Sequence, residues 1–330
     1  MERKSNIELC RLASILLVML VHTTSKSLGL DMSYGTRLLE GFSIIGVNVF
    51  VLITGYFSAT PKKTSLINLA FICLFWGVIK IICLPLCNEP VIWKDLFFIT
   101  TSNWFIPCYI GLLFFTPILN TFCNTVTKQQ LWSVVITLLM FELWFDWMPP
   151  FPDMKIGANN GYSVLSFSIL YLLARAIRLY GLPQWFKRSS TLVYIGCSIA
   201  LGTIAHIGAK VGLGYQVHGP CFSYHNPLVL VSSVAFLMMF EQMHIQSKII
   251  NHLAKSTLAV LLGHSAIMFL YTKQFKYLFD NFSGILQVGY WAFAIVLVFC
   301  SCILVDQLRI ILYVPIAKLL KKRIKKNEIF

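Results

Sequence analysis

Apolar residues fall along the chain in repeated runs of 16 or more, separated by short polar breaks. A helical run of that length crosses the hydrocarbon core of a bilayer. The pattern therefore predicts an all-α, polytopic membrane bundle of about ten transmembrane helices. The predicted spans are 6–24, 41–58, 66–86, 104–122, 131–147, 163–180, 190–207, 226–243, 256–272 and 285–314.

The basic residues between these spans predict the orientation, because Lys and Arg are retained on the cytoplasmic side of a membrane. With the amino terminus inside, 19 basic residues fall on the cytoplasmic side and seven outside, and Lys80 lies within the third span. Both termini are therefore expected to be cytoplasmic. We expect one ten-span domain over residues 1–317 and a basic tail over 318–330 that contacts lipid headgroups. Two outer loops, 148–162 and 208–226, either shape an entrance or are ordinary turn-rich connectors.

The amino-acid composition narrows the possible classes of protein and of binding partner. With 57% hydrophobic and 12% charged residues, the chain lacks the polar surface of a soluble protein of 330 residues. The net charge of +14 sits at span ends, so no nucleic-acid partner is expected. Most of the ten cysteines lie inside apolar runs without zinc-type spacing, so no metal is expected. We therefore expect the function to reside within the helical bundle. We expect the protein to be a multi-pass protein of the cell membrane, that is, the inner or cytoplasmic membrane.

Ionisable side chains are concentrated in the first predicted span, although each costs roughly 2.5 to 3.5 kcal/mol at mid-span. Glu8 and Arg11 are three residues apart and can pair on one helical face. His22 follows Arg11 by eleven residues, about three turns, so both point the same way about 16 Å apart along the axis. One face then carries an anion-binding group and a titratable base. The alternatives are a structural pair with a snorkelling arginine and an interfacial histidine without a role.

Four segments, in order, resemble the membrane-bound acyltransferases of family 3. Arg11 and His22 are similar to the family's signature of an arginine, ten residues and a histidine. The other similar segments are Gly46–Tyr56, which ends in a Gly-Tyr pair, Asn103–Tyr109 with Pro117 and Asn120, and Ser256–His264. There are two departures: Lys62 and Lys63 stand where the family often has paired arginines, and Asn48 stands where an acidic residue is frequent.

The resemblance implies transfer of an acyl group, usually acetyl, from cytosolic acetyl-coenzyme A to a hydroxyl of a cell-surface or lipid-linked glycan. It implies His22 as general base or brief acyl carrier, Arg11 near the donor and Glu8 as the residue that orients Arg11. Donor contacts are expected at Lys62 and Lys63. Substrate contacts are expected at Asn48, Trp104, Tyr109 and His264. Alternatively, Trp104 and Tyr109 are ordinary interface aromatics, and His264 bonds to another helix.

Two rival functions fit the same charged stripe. A transporter or flippase for a lipid-linked saccharide also needs ionisable groups along a wet path, but the two related halves with broken helices that are typical of transporters are not visible in this sequence. A membrane scaffold or sensor without turnover leaves the alignment of Arg11 and His22 unexplained. The acyltransferase interpretation accounts for most of the sequence pattern.

Overall fold

The computed structural model describes residues 4–28, 33–92, 103–147 and 159–327. Regular structure in these ranges is helical throughout, which confirms the predicted all-α class. The predicted outer loop at 148–162 lies largely outside the described residues. The α-helices are α1 Ser5–Leu28, α2 Tyr34–Ser43, α3 Gly46–Tyr56, α4 Lys63–Leu86, α5 Phe105–Thr125, α6 Lys128–Trp147, α7 Val164–Tyr180, α8 Gln184–Arg188, α9 Ser190–Lys210, α10 Gly214–Cys221, α11 Pro227–Glu241, α12 Lys248–Leu253, α13 Thr257–Ala266, α14 Met268–Asn281 and α15 Gly284–Asn327.

The described helices make the chain a multi-pass membrane protein. Within the described ranges, six segments are long and apolar enough to cross a membrane: Ser5–Thr24, Tyr34–Tyr56, Lys63–Leu86, Phe105–Thr125, Ser190–Lys210 and Gly284–Leu319. A seventh forms if Lys248–Ala266 and Met268–Asn281, bent by 70°, count as one span. The apolar helix Pro227–Glu241 is shorter. Six to seven candidate spans are therefore present, and the count of ten and the cytoplasmic termini remain predictions.

The second span begins earlier than the sequence pattern predicts. Helix α2 starts at Tyr34, whereas the predicted span started at residue 41. Ser33 is the reason: its backbone is extended and its Oγ accepts a hydrogen bond from the Thr36 amide at 3.3 Å. Such a cap satisfies an amide that would otherwise have no partner in the first turn. Arg37, which the sequence pattern assigns to an outer loop, therefore lies inside a helix.

The helices form two compact units, one of residues 1–60 and 108–254 and the other of residues 61–107 and 255–330. In the first unit α1 packs against α3, and a Cβ at Gly46 would lie 2.6 Å from the carbonyl oxygen of Ser14. Helix α2 approaches α9 as closely, since a Cβ at Gly202 would lie 2.7 Å from the Cα of Leu38. Glycine at these positions lets the backbones touch, as in other membrane helix pairs.

The second unit is organised around α4, α13 and α15. Gly263 of α13 packs on the indole of Trp76 in α4, so a side chain at this position would clash with the ring. Arg309 of α15 forms a buried two-point ion pair with Asp306 and donates to the Asn68 side chain of α4 at 3.1 Å. A charge pair with every partner in place tolerates burial, and here it joins α15 to α4.

Candidate active site

Glu8 and Arg11 form the ion pair that their spacing predicts. The Nη1 atom of Arg11 lies 3.3 Å from Oε1 and 3.4 Å from Oε2 of Glu8. The Glu8 side chain is 8% exposed and the Arg11 side chain 31% exposed. The carboxylate is thus shielded by the bundle, while the Arg11 side chain stays partly accessible. Glu8 holds Arg11 in place, and Arg11 retains free donor atoms because the guanidinium has five N–H groups.

His22 lies on the same helix as the pair. Helix α1 runs without a break from Ser5 to Leu28, so the eleven-residue spacing keeps His22 and Arg11 on one face. The His22 side chain is partly exposed. An imidazole in its neutral form carries one ring nitrogen that can accept a proton. The face therefore combines a fixed cation and a base about 16 Å apart along the axis.

Asn48 is completely buried and holds a distant loop. Its Nδ2 donates a hydrogen bond to the Tyr224 carbonyl oxygen at 2.7 Å, and its Oδ1 accepts none within the described ranges. Burial raises the pKa of the Tyr224 phenol well above its usual value, and the neighbouring Tyr162 adds to the shift. Asn48 thus fixes the segment that follows α10, so its contacts within the described structure are to the protein's own backbone.

Tyr109 also lies in the first unit, on α5. Its hydroxyl is 3.4 Å from the hydroxyl of Thr54, and its ring packs edge-on against Phe50 at 6.3 Å between centroids. Tyr109 thus packs against α3 (Gly46–Tyr56), the helix that contains Asn48. The motif residues of the first unit are therefore joined through α3.

The other four predicted site residues belong to the second unit and are described within it. Lys62 is the extended residue before α4 and Lys63 is its first residue, and both side chains are exposed. The Trp104 ring packs edge-on against Phe105 at 6.2 Å. His264 is completely buried beside the bend between α13 and α14, with Nδ1 2.8 Å from the Val260 carbonyl oxygen of its own helix.

One group of buried charged residues was not predicted from the sequence. Arg37 and Glu40 of α2 are each 2% exposed. Glu40 Oε2 lies 3.0 Å from Nε2 of His218, which comes from α10 and whose side chain is 12% exposed. The three-residue spacing of Arg37 and Glu40, the same as in Glu8 and Arg11, is a feature that points to this group. The partner His218 is 178 residues away in sequence, so spacing could not reveal it.

The amino-terminal end of α1 is fixed by polar contacts. Asn6, the second residue of α1, donates from Nδ2 to the carbonyl oxygens of Phe240 and Glu241, at 3.1 and 3.2 Å. Tyr56, the last residue of the Gly-Tyr segment, donates to Glu241 Oε1 at 3.2 Å and accepts from Arg178 at 3.3 Å. The start of α1 and the end of α3 therefore meet at the end of α11.

Comparison with known proteins identifies the family of the chain. A family model described as an acyltransferase domain, that of acyltransferase family 3, matches residues 4–306. No curated protein and no solved structure matches the chain. The matched range includes Glu8, Arg11 and His22 and all the helices from α1 to α14. Because the match covers nearly the whole chain, this multi-pass membrane protein belongs to acyltransferase family 3.

Proposed function

We propose that the protein transfers an acyl group, in the first instance acetyl, from cytosolic acyl-coenzyme A to a hydroxyl of a cell-surface or lipid-linked polysaccharide. One observation carries the proposal: the Glu8–Arg11 pair and His22 share a single face of α1 within an acyltransferase family domain. A cation near one end and a base near the other suit a long donor with anionic phosphates at one end and a thioester at the other.

His22 acts as the general base in this proposal. The neutral imidazole takes the proton of the acceptor hydroxyl while its oxygen forms a bond to the thioester carbonyl carbon. Collapse of the tetrahedral intermediate breaks the carbon–sulfur bond, and the imidazolium returns the proton to the departing thiolate. General base catalysis of this kind contributes typically 10²–10⁴-fold to a rate. In a second form of the proposal the acyl group resides briefly on the imidazole before the hydroxyl attacks.

The remaining residues bind and orient substrates. Glu8 orients Arg11, which lies near the donor. Lys62 and Lys63 are proposed to add positive charge that attracts the anionic donor, as point charges without the two-point fork of arginine. Asn48, Trp104, Tyr109 and His264 are proposed to contact or frame the acceptor, with aromatic rings suited to the apolar faces of sugars. The inner, cytoplasmic membrane is the proposed location, with the acceptor glycan reaching the outer end of α1.

The test compares the surface glycan of three strains by mass: wild type, a deletion strain, and the deletion strain complemented with the His22→Ala protein. We expect the glycan of both altered strains to reach the surface but to lack one acyl unit per repeat. Complementation with His252→Ala, which alters an exposed histidine of α12, restores the acyl unit. Loss of the whole glycan would contradict the proposal and favour saccharide export. An unchanged acyl content in the His22→Ala strain would overturn the assignment of the base.

A further inference from the structure

A cavity of about 900 Å³ lies between the amino-terminal end of α1 and the segment that joins α11 to α12. All the residues that line it belong to the first unit. They include Lys4, Lys248 and His244, whose side chains are exposed, and among the described lining residues there is no carboxylate. The cavity is therefore a positively charged compartment that is open to solvent.

The walls of this cavity are held together by hydrogen bonds. The Ser5 hydroxyl is buried, accepts from the Ser247 amide at 3.0 Å and lies 3.4 Å from the Ser247 carbonyl oxygen. Asn6 binds the end of α11 through the two contacts given above. The positive end of the dipole of α1, a helix of 24 residues, also lies at this point. Fixed walls, two ammonium groups and a helix amino terminus together favour an anion such as phosphate.

The cavity lies in line with the proposed reaction centre. Lys4 directly precedes α1 and stands seven residues, close to two helical turns, before Arg11, so its position continues the line of the face that carries Arg11 and His22. The helical rise places Lys4 about 10 Å from Arg11 and about 27 Å from His22 along the axis. In the predicted orientation this end is cytoplasmic. A ligand that reaches from the cavity to His22 must be long, with its negative charge at the cytoplasmic end.

We propose that this cavity binds the phosphorylated nucleotide end of the acyl donor, with Lys4 and Lys248 as the phosphate-binding cations. This inference rests on the proposed function, because it takes the donor to be an acyl-coenzyme A. Arg11, about 10 Å further along α1, then lies at the inner edge of this phosphate-bearing end, and the thioester reaches toward His22. An anionic lipid headgroup offers the same phosphate chemistry, so the test must separate the two sources.

The test measures binding of adenosine 3′,5′-bisphosphate to the purified full chain in nanodiscs of phosphatidylcholine, by calorimetric titration. The probe carries the 3′-phosphate and the first 5′-phosphate of the nucleotide end but no thioester, so no turnover is required. We expect the double substitution Lys4→Gln/Lys248→Gln to raise the Kd at least tenfold. The control Lys187→Gln/Arg188→Gln removes the same charge from α8, which does not line the cavity, and should leave the Kd unchanged.

Three results would overturn the inference. The first is equal binding by the wild type and the Lys4→Gln/Lys248→Gln protein. The second is a loss of binding in Lys62→Gln/Lys63→Gln that exceeds the loss in the cavity variant, which would move the nucleotide to the start of α4. The third is no probe binding in phosphatidylcholine together with a rise in Tm in phosphatidylglycerol nanodiscs that the cavity variant lacks, which would identify a lipid site.

Failure of the inference and failure of the proposed function remain distinguishable. If the probe binds and the cavity variant loses it, but no acyl group is ever transferred, the nucleotide site stands and the reaction does not. If acyl transfer depends on His22 while the cavity variant binds the probe normally, the reaction stands and the cavity assignment is wrong. Matching Tm values for the cavity variant and the control confirm that both proteins are folded.

Discussion

At the scale of single residues, the unequal exposure of Glu8 and Arg11 is the most informative feature of α1. The buried carboxylate pairs with an arginine side chain that is 31% exposed, which is the arrangement expected of a residue that orients a binding group. In the proposed mechanism Glu8 is a positioning residue whose effect on the reaction passes through Arg11. Its removal should alter donor binding more than the chemical step.

Glu8→Gln should therefore raise the KM for acyl-coenzyme A about fivefold, equivalent to about 1 kcal/mol, with little change in kcat. The neutral amide still accepts a hydrogen bond but no longer holds the cation by charge. Steady-state kinetics with varied donor concentration measure the effect. Glu89→Gln is the matched control, because its pair with Lys273 involves a lysine that is 82% exposed and is worth little. An equal rise in KM for both variants would show that the Glu8 effect is unspecific.

Asn48 explains one departure from the family pattern. The amide donates to the Tyr224 carbonyl oxygen inside a fully buried site, and a carboxylate could not donate there. Asn48→Asp should lower the free energy of unfolding by about 3 kcal/mol or more, since it removes a buried donor and places a charge against a carbonyl oxygen. Thermal unfolding in detergent measures the change.

The control for that substitution is Asn124→Asp. Here the side-chain oxygen accepts a hydrogen bond from Nη2 of Arg175 at 3.2 Å, so a carboxylate keeps the contact and adds an ion pair. We expect its Tm to equal or exceed that of the wild type. If Asn48→Asp proved as stable as Asn124→Asp, Asn48 would not be a structural donor, and its proposed role at the substrate would gain support.

At the scale of elements, the close approach of α2 and α9 holds Arg37 and Glu40 in place. A Cβ at Gly202 would lie 2.7 Å from the Leu38 Cα and 2.9 Å from the Arg37 carbonyl oxygen. Gly202→Ala should therefore destabilise the protein by about 1 to 3 kcal/mol, as overpacking does. Gly196→Ala lies on the same helix with no atom within 4 Å of the added methyl group.

Thermal unfolding of the two glycine variants tests this packing directly. Gly196→Ala should leave the Tm unchanged or raise it, because alanine favours the helix by about 1 kcal/mol over glycine. Gly202→Ala should lower the Tm. Equal Tm values would mean that α2 can move away from α9 at no cost, in which case the buried pair of Glu40 and His218 is not fixed by this contact.

The hydropathy of the sequence predicts where the helices of this chain lie. It predicts less well where they end and which residues they pack against. The first span was predicted as 6–24 and α1 covers Ser5–Leu28, because its apolar run is nearly continuous. The start of α2 was missed, because a turn that carries Arg37 and Glu40 does not look apolar. Glu40 gains a partner there in His218, which packs against it from far along the chain. The 70° bend beside His264 likewise has no counterpart in the nearly continuous apolar run of the predicted span 256–272.

For the candidate site, the sequence likewise predicts contacts within one helix but not contacts between distant segments. The Glu8–Arg11 pair depends on one helix and its spacing, and the structure confirms it. Alignment with His22 follows from the same helix. The contacts of Asn6, Tyr56 and Asn48 join segments more than 120 residues apart, so the sequence could identify these residues only by resemblance to a family.

At the scale of the whole molecule, the charge asymmetry predicts that both termini and the cavity at Lys4 face the cytoplasm. Epitope tags at the two ends should be digested by protease in inverted membrane vesicles and protected in intact spheroplasts. A periplasmic reporter domain of known orientation serves as the control. Protection of one tag and digestion of the other would require an odd number of spans, which contradicts the ten-span prediction.

The most direct measurement of the central claim is acyl transfer by purified protein in nanodiscs. Release of free coenzyme A from acetyl-coenzyme A is followed with and without the surface glycan of the producing cell. We predict release only when the glycan is present, at least a hundredfold less in His22→Ala, and normal release in His252→Ala. Unchanged glycan-dependent release in the His22→Ala protein, with an unchanged Tm, would contradict the account.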